Sequence, residues 1–256
     1  MDGGRTLSKS ASLNTTYCPF SNSYPLTISP LGTSRSHVGH QRFCWMRVLH
    51  SAWSWLKDKV AADSVAGNTF TANGERLAWK RNPLNVHAFH LDIPQGVTTL
   101  VAEFDYLTPT DGAQGRVVMT PSMLNLQWNA VLLYPAGHAQ SRVQFDPRVK
   151  YPAGWQAGTA LDVERREGDT VVYKRVPLEV LADSPVYAGK HYKQIDLAPG
   201  AKVPVRLNVV ADEAKYLETK PAHIEQHRAL VGQALKLYGA QHYDHYDFLL
   251  SLSNQM

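Results

Sequence analysis

The sequence has little cysteine, no long apolar run and no marked excess of one charge, and each shortage removes a class of protein. Two cysteines occur among 256 residues, Cys18 and Cys44, and neither belongs to a C-x-x-C pair. A bridge between them would close only a weakly patterned stretch, so both are read as free thiols. No apolar run approaches the roughly 20 residues that a helix needs to cross a bilayer, so no membrane span is expected. The continuous apolar core of a secretory signal is missing as well. The net charge is +4, spread along the chain rather than gathered into the basic stripe that nucleic-acid binding requires. Three motifs are also absent: the G-x-S-x-G nucleophile elbow, the phosphate-binding P-loop and the dinucleotide fingerprint G-x-G-x-x-G. Without them there is no support for an elbow hydrolase or a nucleotide-binding fold.

What is present is ordinary globular composition, 44% apolar and 19% charged, in three stretches. Residues 1–45 are rich in Ser and Thr and set one acid, Asp2, against four bases, Arg5, Lys9, Arg35 and Arg42. The composition is like that of an organellar transit peptide. The favoured expectation is a segment without structure, or translated sequence ahead of a start near Met46.

Residues 46–211 are read as one β-sandwich domain, with period-two patterning from about Asn68 to Ala211. Leu100, Ala102, Phe104 and Tyr106 fall on one face, and Leu124, Leu126, Trp128, Ala130 and Leu132 repeat the alternation, as do Val203, Val205, Leu207 and Val209. Turn signals punctuate these strands at Asn73-Gly74, Pro94-Gln95-Gly96, Pro152-Ala153-Gly154 and Pro199-Gly200. Short strands at such spacing predict a mainly β fold and a β-sandwich.

Residues 212–256 change period. Ile224, Val231, Leu235 and Tyr238 recur at helical spacing, with Pro221 in the first turn, Thr219 as a cap and Gly239 as a stop. Tyr243 to Ser253 then reads as a buried strand, and the chain is expected to break off inside a second, α+β domain.

Two histidine groups invite a metal reading. In His223-Ile224-Glu225-Gln226-His227 the two imidazoles share a helical face. A metal-dependent hydrolase also needs a glutamate beside the bound water, and Glu225 lies about 200° round the helix from His223. The motif is read as a solvated helix face. In the stretch His242, Asp244, His245 and Asp247, strand alternation divides the group into two opposed pairs, which spoils a single metal site. A third pattern is the row Asn125, Gln127 and Asn129, opposite Leu124, Leu126 and Trp128. Carboxamides present donors and acceptors without charge, which suits a ligand amine or a peptide backbone.

The string Gly115 to Gly137, GRVVMTPSMLNLQWNAVLLYPAG, resembles the N-terminal domain of the glycyl aminopeptidase family, zinc metallopeptidases with a C-terminal PDZ domain. Phe70 to Pro94, Pro152 to Leu161, Asp183 to Lys193, Leu197 to Asp212 and His227 to Ser253 resemble the same family in the same order. The resemblance implies a β-sandwich N-terminal domain followed by the incomplete start of a thermolysin-like catalytic domain. It implies a peptide substrate and, for full-length members, zinc bound by H-E-x-x-H. That motif is absent here, so no metal ligand or general base is carried over, no cofactor is expected in this chain, and the chain alone is expected to be inactive. Leu126-Gln127-Trp128-Asn129-Ala130 is similar to a stretch that helps hold the substrate's free amine in the wider clan. Gln127 and Asn129 are therefore the candidate substrate-binding residues. The alternative is a stand-alone β-sandwich binding module.

Overall fold

The structure, a computed structural model, describes residues 65–85, 87–97, 99–108, 118–136 and 138–254, together with the backbone of the strand Arg42–Val48. Both cysteine side chains, and the expectation for residues 1–45 apart from the backbone at 42–45, lie outside the described residues. The chain divides into two compact units: residues 1–107, 129–147 and 175–179 form one, and residues 108–128, 148–174 and 180–256 the other.

The first unit is built from two antiparallel sheets. One joins β1 (Arg42–Val48), β4 (Trp79–Arg81), β5 (Ala88–Ile93) and β8 (Leu133–Pro135) in the order β4-β5-β1-β8. The other joins β2 (Val65–Ala72), β3 (Glu75–Arg76) and β6 (Leu100–Tyr106) in the order β3-β2-β6. A short pair, β9 (Gln144–Phe145) and β14 (Val176–Pro177), completes it. The turn between β2 and β3 needs positive φ at both corners, and Asn73 (52°) and Gly74 (83°) supply it. The inward positions of both sheets meet in one core of Phe70, Phe89, Leu91, Leu100, Ala102 and Leu133, with Trp79 packed against it. Trp79 meets Phe89 edge-on at 5.3 Å and Phe70 at 6.1 Å. Such pairs contribute about 0.5–1.5 kcal/mol each beyond their buried area. Two sheets sharing one core is the sandwich arrangement that the alternation predicts.

The second unit holds three small sheets. In order they are β11 (Gln156–Gly158), β15 (Val186–Gly189) and β7 (Met123–Leu126); then β10 (Arg148–Lys150), β13 (Thr170–Tyr173) and β12 (Val163–Glu167); then β16 (His191–Asp196), β17 (Val205–Ala211) and β18 (Tyr246–Leu252). Strand β17 is antiparallel to β16 and parallel to β18. Two short helices, α1 (Trp128–Val131) and α2 (Leu178–Ala182), fall where the chain passes from one unit to the other, and the long helix α3 (Pro221–Tyr238) links β17 to β18. Helix α3 buries Val231 against Leu197 and Val205, with Ile195, Leu207 and Leu235 around them. Gly239 ends it at φ 69°, its N–H donating to the Leu235 carbonyl at 3.0 Å.

The fold is mainly β with few helices, as the patterning predicts. Three local expectations change. The strand expected across Leu124 to Leu132 stops at Leu126, because Trp128, Val131 and Leu132 are buried at helical spacing and the chain coils to bury them. The helix cap falls on Lys220 rather than Thr219, since Pro221 at the first helical position holds the residue before it extended (φ −69°, ψ 139°). The last strand is not buried. Tyr246, Phe248 and Leu250 are 45%, 38% and 40% exposed, beyond the cover that α3 gives to β17.

Candidate functional site

The expected row of carboxamides is broken by the end of β7. Asn125 lies in the strand with its side chain buried, and Gln127 follows it half-buried. The Gln127 Nε2 group donates to Asn125 Oδ1 at 2.6 Å. These two are brought together. Asn129 is half-buried within α1, where the backbone is helical and strand alternation has ended, so it does not continue the row.

A larger polar centre lies wholly within the second unit. Because β17 runs between β16 and β18, its residues alternate between two environments. Val205 and Leu207 turn toward α3, while Arg206 and Asn208 line a cavity of about 450 Å³. Asn208 is 1% exposed and anchors the cavity wall. Its Oδ1 accepts from the Tyr192 hydroxyl at 2.7 Å and from Gln194 Nε2 at 2.9 Å, and its Nδ2 donates to Asp247 Oδ1 at 2.9 Å. The Asp247 side chain is only 2% exposed, yet its carboxylate is well supplied: His245 Nδ1 lies 2.6 Å from Oδ2 and an Arg206 guanidinium nitrogen 3.6 Å from it. The His245 ring bridges two carboxylates, since its Nε2 lies 3.2 Å from Asp162 Oδ1. Asp162 is also bonded by Lys174 Nζ at 3.2 Å, which more than any other contact holds its carboxyl below the usual range.

The opposite wall is formed by β11, β12 and β13. Gly158 in β11 runs so close to β17 that a Cβ there would fall 2.4 Å from Asn208 Cβ. Burial raises the Tyr173 phenol, while its bond to the Tyr151 hydroxyl at 2.7 Å and the nearby Arg166 charge act the other way. Burial likewise raises the Tyr192 phenol, against the Gln194 bond and the charges of Arg206 and Arg166.

Sequence reasoning places His245 and Asp247 on one face, and they meet there, but it passes over Tyr192, Gln194, Arg206 and Asn208. The available signal is the pair Arg206 and Asn208 inside the otherwise apolar run Val205–Ala211. A polar residue held at the centre of such a strand needs partners, and those partners define a site.

His223 and His227 stand exposed on α3, where His227 Nδ1 lies 2.6 Å from the His223 carbonyl and Glu225 pairs with Arg228 at 2.8 Å. Among the described residues no group of three or more His, Cys, Asp or Glu side chains converges as a metal site. The described residues therefore do not fit a resident zinc ion.

Residues 60–190 match the Peptidase M61 N-terminal domain, and the chain belongs to that family. A comparison with curated protein sequences finds no match. Among solved structures, the chain is similar to an aminopeptidase N family protein from Idiomarina loihiensis, with a TM-score of 0.61, 12% identity, and coverage of 84% of this chain and 35% of that one. A looser likeness links it to an M1 zinc metallopeptidase from Deinococcus radiodurans (TM-score 0.40, 13% identity, 75% of this chain and 50% of that one). Another links it to leukotriene A4 hydrolase from Saccharomyces cerevisiae (TM-score 0.43, 7% identity, 86% and 33%). The Idiomarina likeness shows a shared fold, and this chain spans about a third of that protein's length.

Proposed function

We propose that this chain is the N-terminal portion of a metallo-aminopeptidase that removes residues such as glycine or alanine from the N-terminus of peptides, and that its own part is to hold the substrate's free amine. Membership of the Peptidase M61 N-terminal domain family carries the reading. The geometry at Gln127 supports it. A peptide's terminal ammonium only donates hydrogen bonds, so it needs a fixed acceptor. Gln127 uses its Nε2 group on the buried Asn125, which orients the amide and leaves Oε1 as the acceptor. Asn129 is the second residue proposed for this role, on the resemblance of its surrounding string alone. In this reading the hydrolytic zinc is held by residues other than those described, so no step of the hydrolysis is assigned to this chain and it is inactive by itself. The glycyl preference and a PDZ domain in the parent belong to the same proposal.

Two measurements test it. The purified chain, supplied with zinc, should not turn over glycine or alanine amides; turnover that a chelator abolishes would overturn the assignment. Titrating the labelled chain with a dipeptide amide should shift the Gln127 side-chain amide resonances, and the N-acetylated peptide should not. No shift, or an equal shift from the acetylated peptide, removes the amine-holding role.

A further inference from the structure

The cavity beside β17 has the size of a small-molecule site, which runs from about 300 to 1,000 Å³. The carboxylates and the Asn208 oxygen in its wall are already engaged. Asp247 takes the Asn208 and His245 contacts, Asn208 Oδ1 takes two donors, and Asp162 takes Lys174 and His245. The cationic donors are less fully engaged. Arg166 lines the cavity and forms no ion pair among the described residues. Arg206 reaches Asp247 only at 3.6 Å, longer than the roughly 2.7–2.9 Å of a charge-assisted hydrogen bond. Arg166 has no carboxylate partner among the described residues, and Arg206 shares Asp247 with Asn208 and His245 at a longer distance, so both guanidiniums have N–H groups left for a further anion. A planar guanidinium meets an oxyanion with two parallel N–H groups, a geometry a lysine cannot offer.

We propose that this cavity binds a small oxyanion, a carboxylate or a phosphate, held by Arg166 and Arg206 against the wall that Asn208 fixes. The wall is rigid before any ligand arrives, because Asn208 is buried and bonded to both neighbouring strands, β16 through Tyr192 and Gln194 and β18 through Asp247. Little ordering therefore opposes binding. The proposal uses none of the residues placed around Gln127.

The test is calorimetric titration of the full chain with three probes: N-acetylglycine, N-acetylglycine amide and inorganic phosphate. N-acetylglycine has no free amine, so an amine site does not enter the result. Saturable binding of N-acetylglycine, phosphate or both is expected, and which of them binds distinguishes the two oxyanions. The neutral amide should give no heat. Arg166→Gln and Arg206→Gln should each weaken binding at least about tenfold, the loss of one charge-assisted pair. Arg166 is exposed, so its variant should unfold at the temperature of the parent chain; if Arg206→Gln fails to fold, Arg166→Gln decides alone. Absence of binding by both oxyanions, equal binding of the amide, or binding unchanged in Arg166→Gln overturns the proposal.

Discussion

Replacing Asp247 by asparagine keeps the shape of the side chain and removes its charge. In the native unit the carboxylate accepts from Asn208 at 2.9 Å and lies 2.6 Å from His245 Nδ1 and 3.6 Å from Arg206. An amide has one acceptor oxygen where the carboxylate has two. The amide oxygen can still accept from Asn208, but its NH2 group then faces His245 Nδ1, which accepts only with the ring proton on Nε2, and the charge beside Arg206 is gone. A hydrogen bond to a charged group contributes about 1.5–3 kcal/mol, and the carboxylate makes two such contacts, with Asn208 and with His245. The side chains of His245 (16% exposed) and Arg206 (35%) can turn partly toward water, which reduces the loss. The expected net destabilisation is about 3 kcal/mol, at the lower end for breaking a buried ionic contact. Urea unfolding followed by circular dichroism measures it: with m near 2 kcal/mol per molar, the midpoint of the second unit should fall by about 1.5 M. Asp162→Asn is the matched control. That carboxylate is half-exposed and pairs with Lys174 at the surface, where such a pair is worth about 0–1 kcal/mol. Equal losses in the two variants, or a loss below about 1 kcal/mol for Asp247→Asn, would refute the view that the buried acceptor holds the site together.

Gly158→Ala should destabilise the second unit by about 1–3 kcal/mol through overpacking, because the new methyl would sit 2.4 Å from Asn208 Cβ, which has no rotamer to escape by; an unchanged unfolding midpoint would contradict the closeness of β11 and β17. Burial, the first cause, raises the phenols of both Tyr151 and Tyr173 above their ordinary values. The unfolded chain therefore loses these protons first, so their contribution to stability is complete below about pH 10 and is lost as pH rises toward the native values. Urea midpoints at pH 9 and 11, compared with Tyr151→Phe, check this: the variant should lose less on going to pH 11.

The strands were the most legible part of the sequence, for a plain reason. Where one face of a strand meets a core, as with Leu100 and Ala102, residue type alternates with exposure and can be read directly. Asn73-Gly74 was legible because few residues accept positive φ at two successive positions. Alternation failed at Trp128, where apolar residues continue at every second position (Trp128, Ala130, Leu132) into a helix too short to show its own period. It also failed to signal the polar cavity, whose walls come from residues 156–166, Tyr173, 192–208 and 245–247. No local pattern joins those stretches; only the parallel pairing of β17 with β18 brings Arg206 opposite Asp247. Gln127 is legible through its neighbours in the chain, and the contact that gives it a fixed orientation is equally local, with Asn125 two positions away.

Strand β17 faces two ways at once, and this limits what the chain can change. A slip of one residue would push Arg206 and Asn208 into the apolar layer under α3 and turn Val205 and Leu207 into the cavity, ruining both together. Insertions and deletions should therefore be tolerated in the exposed bend at Pro199–Lys202 and never between Val205 and Ala211, so length variation stops abruptly at the first residue of the strand.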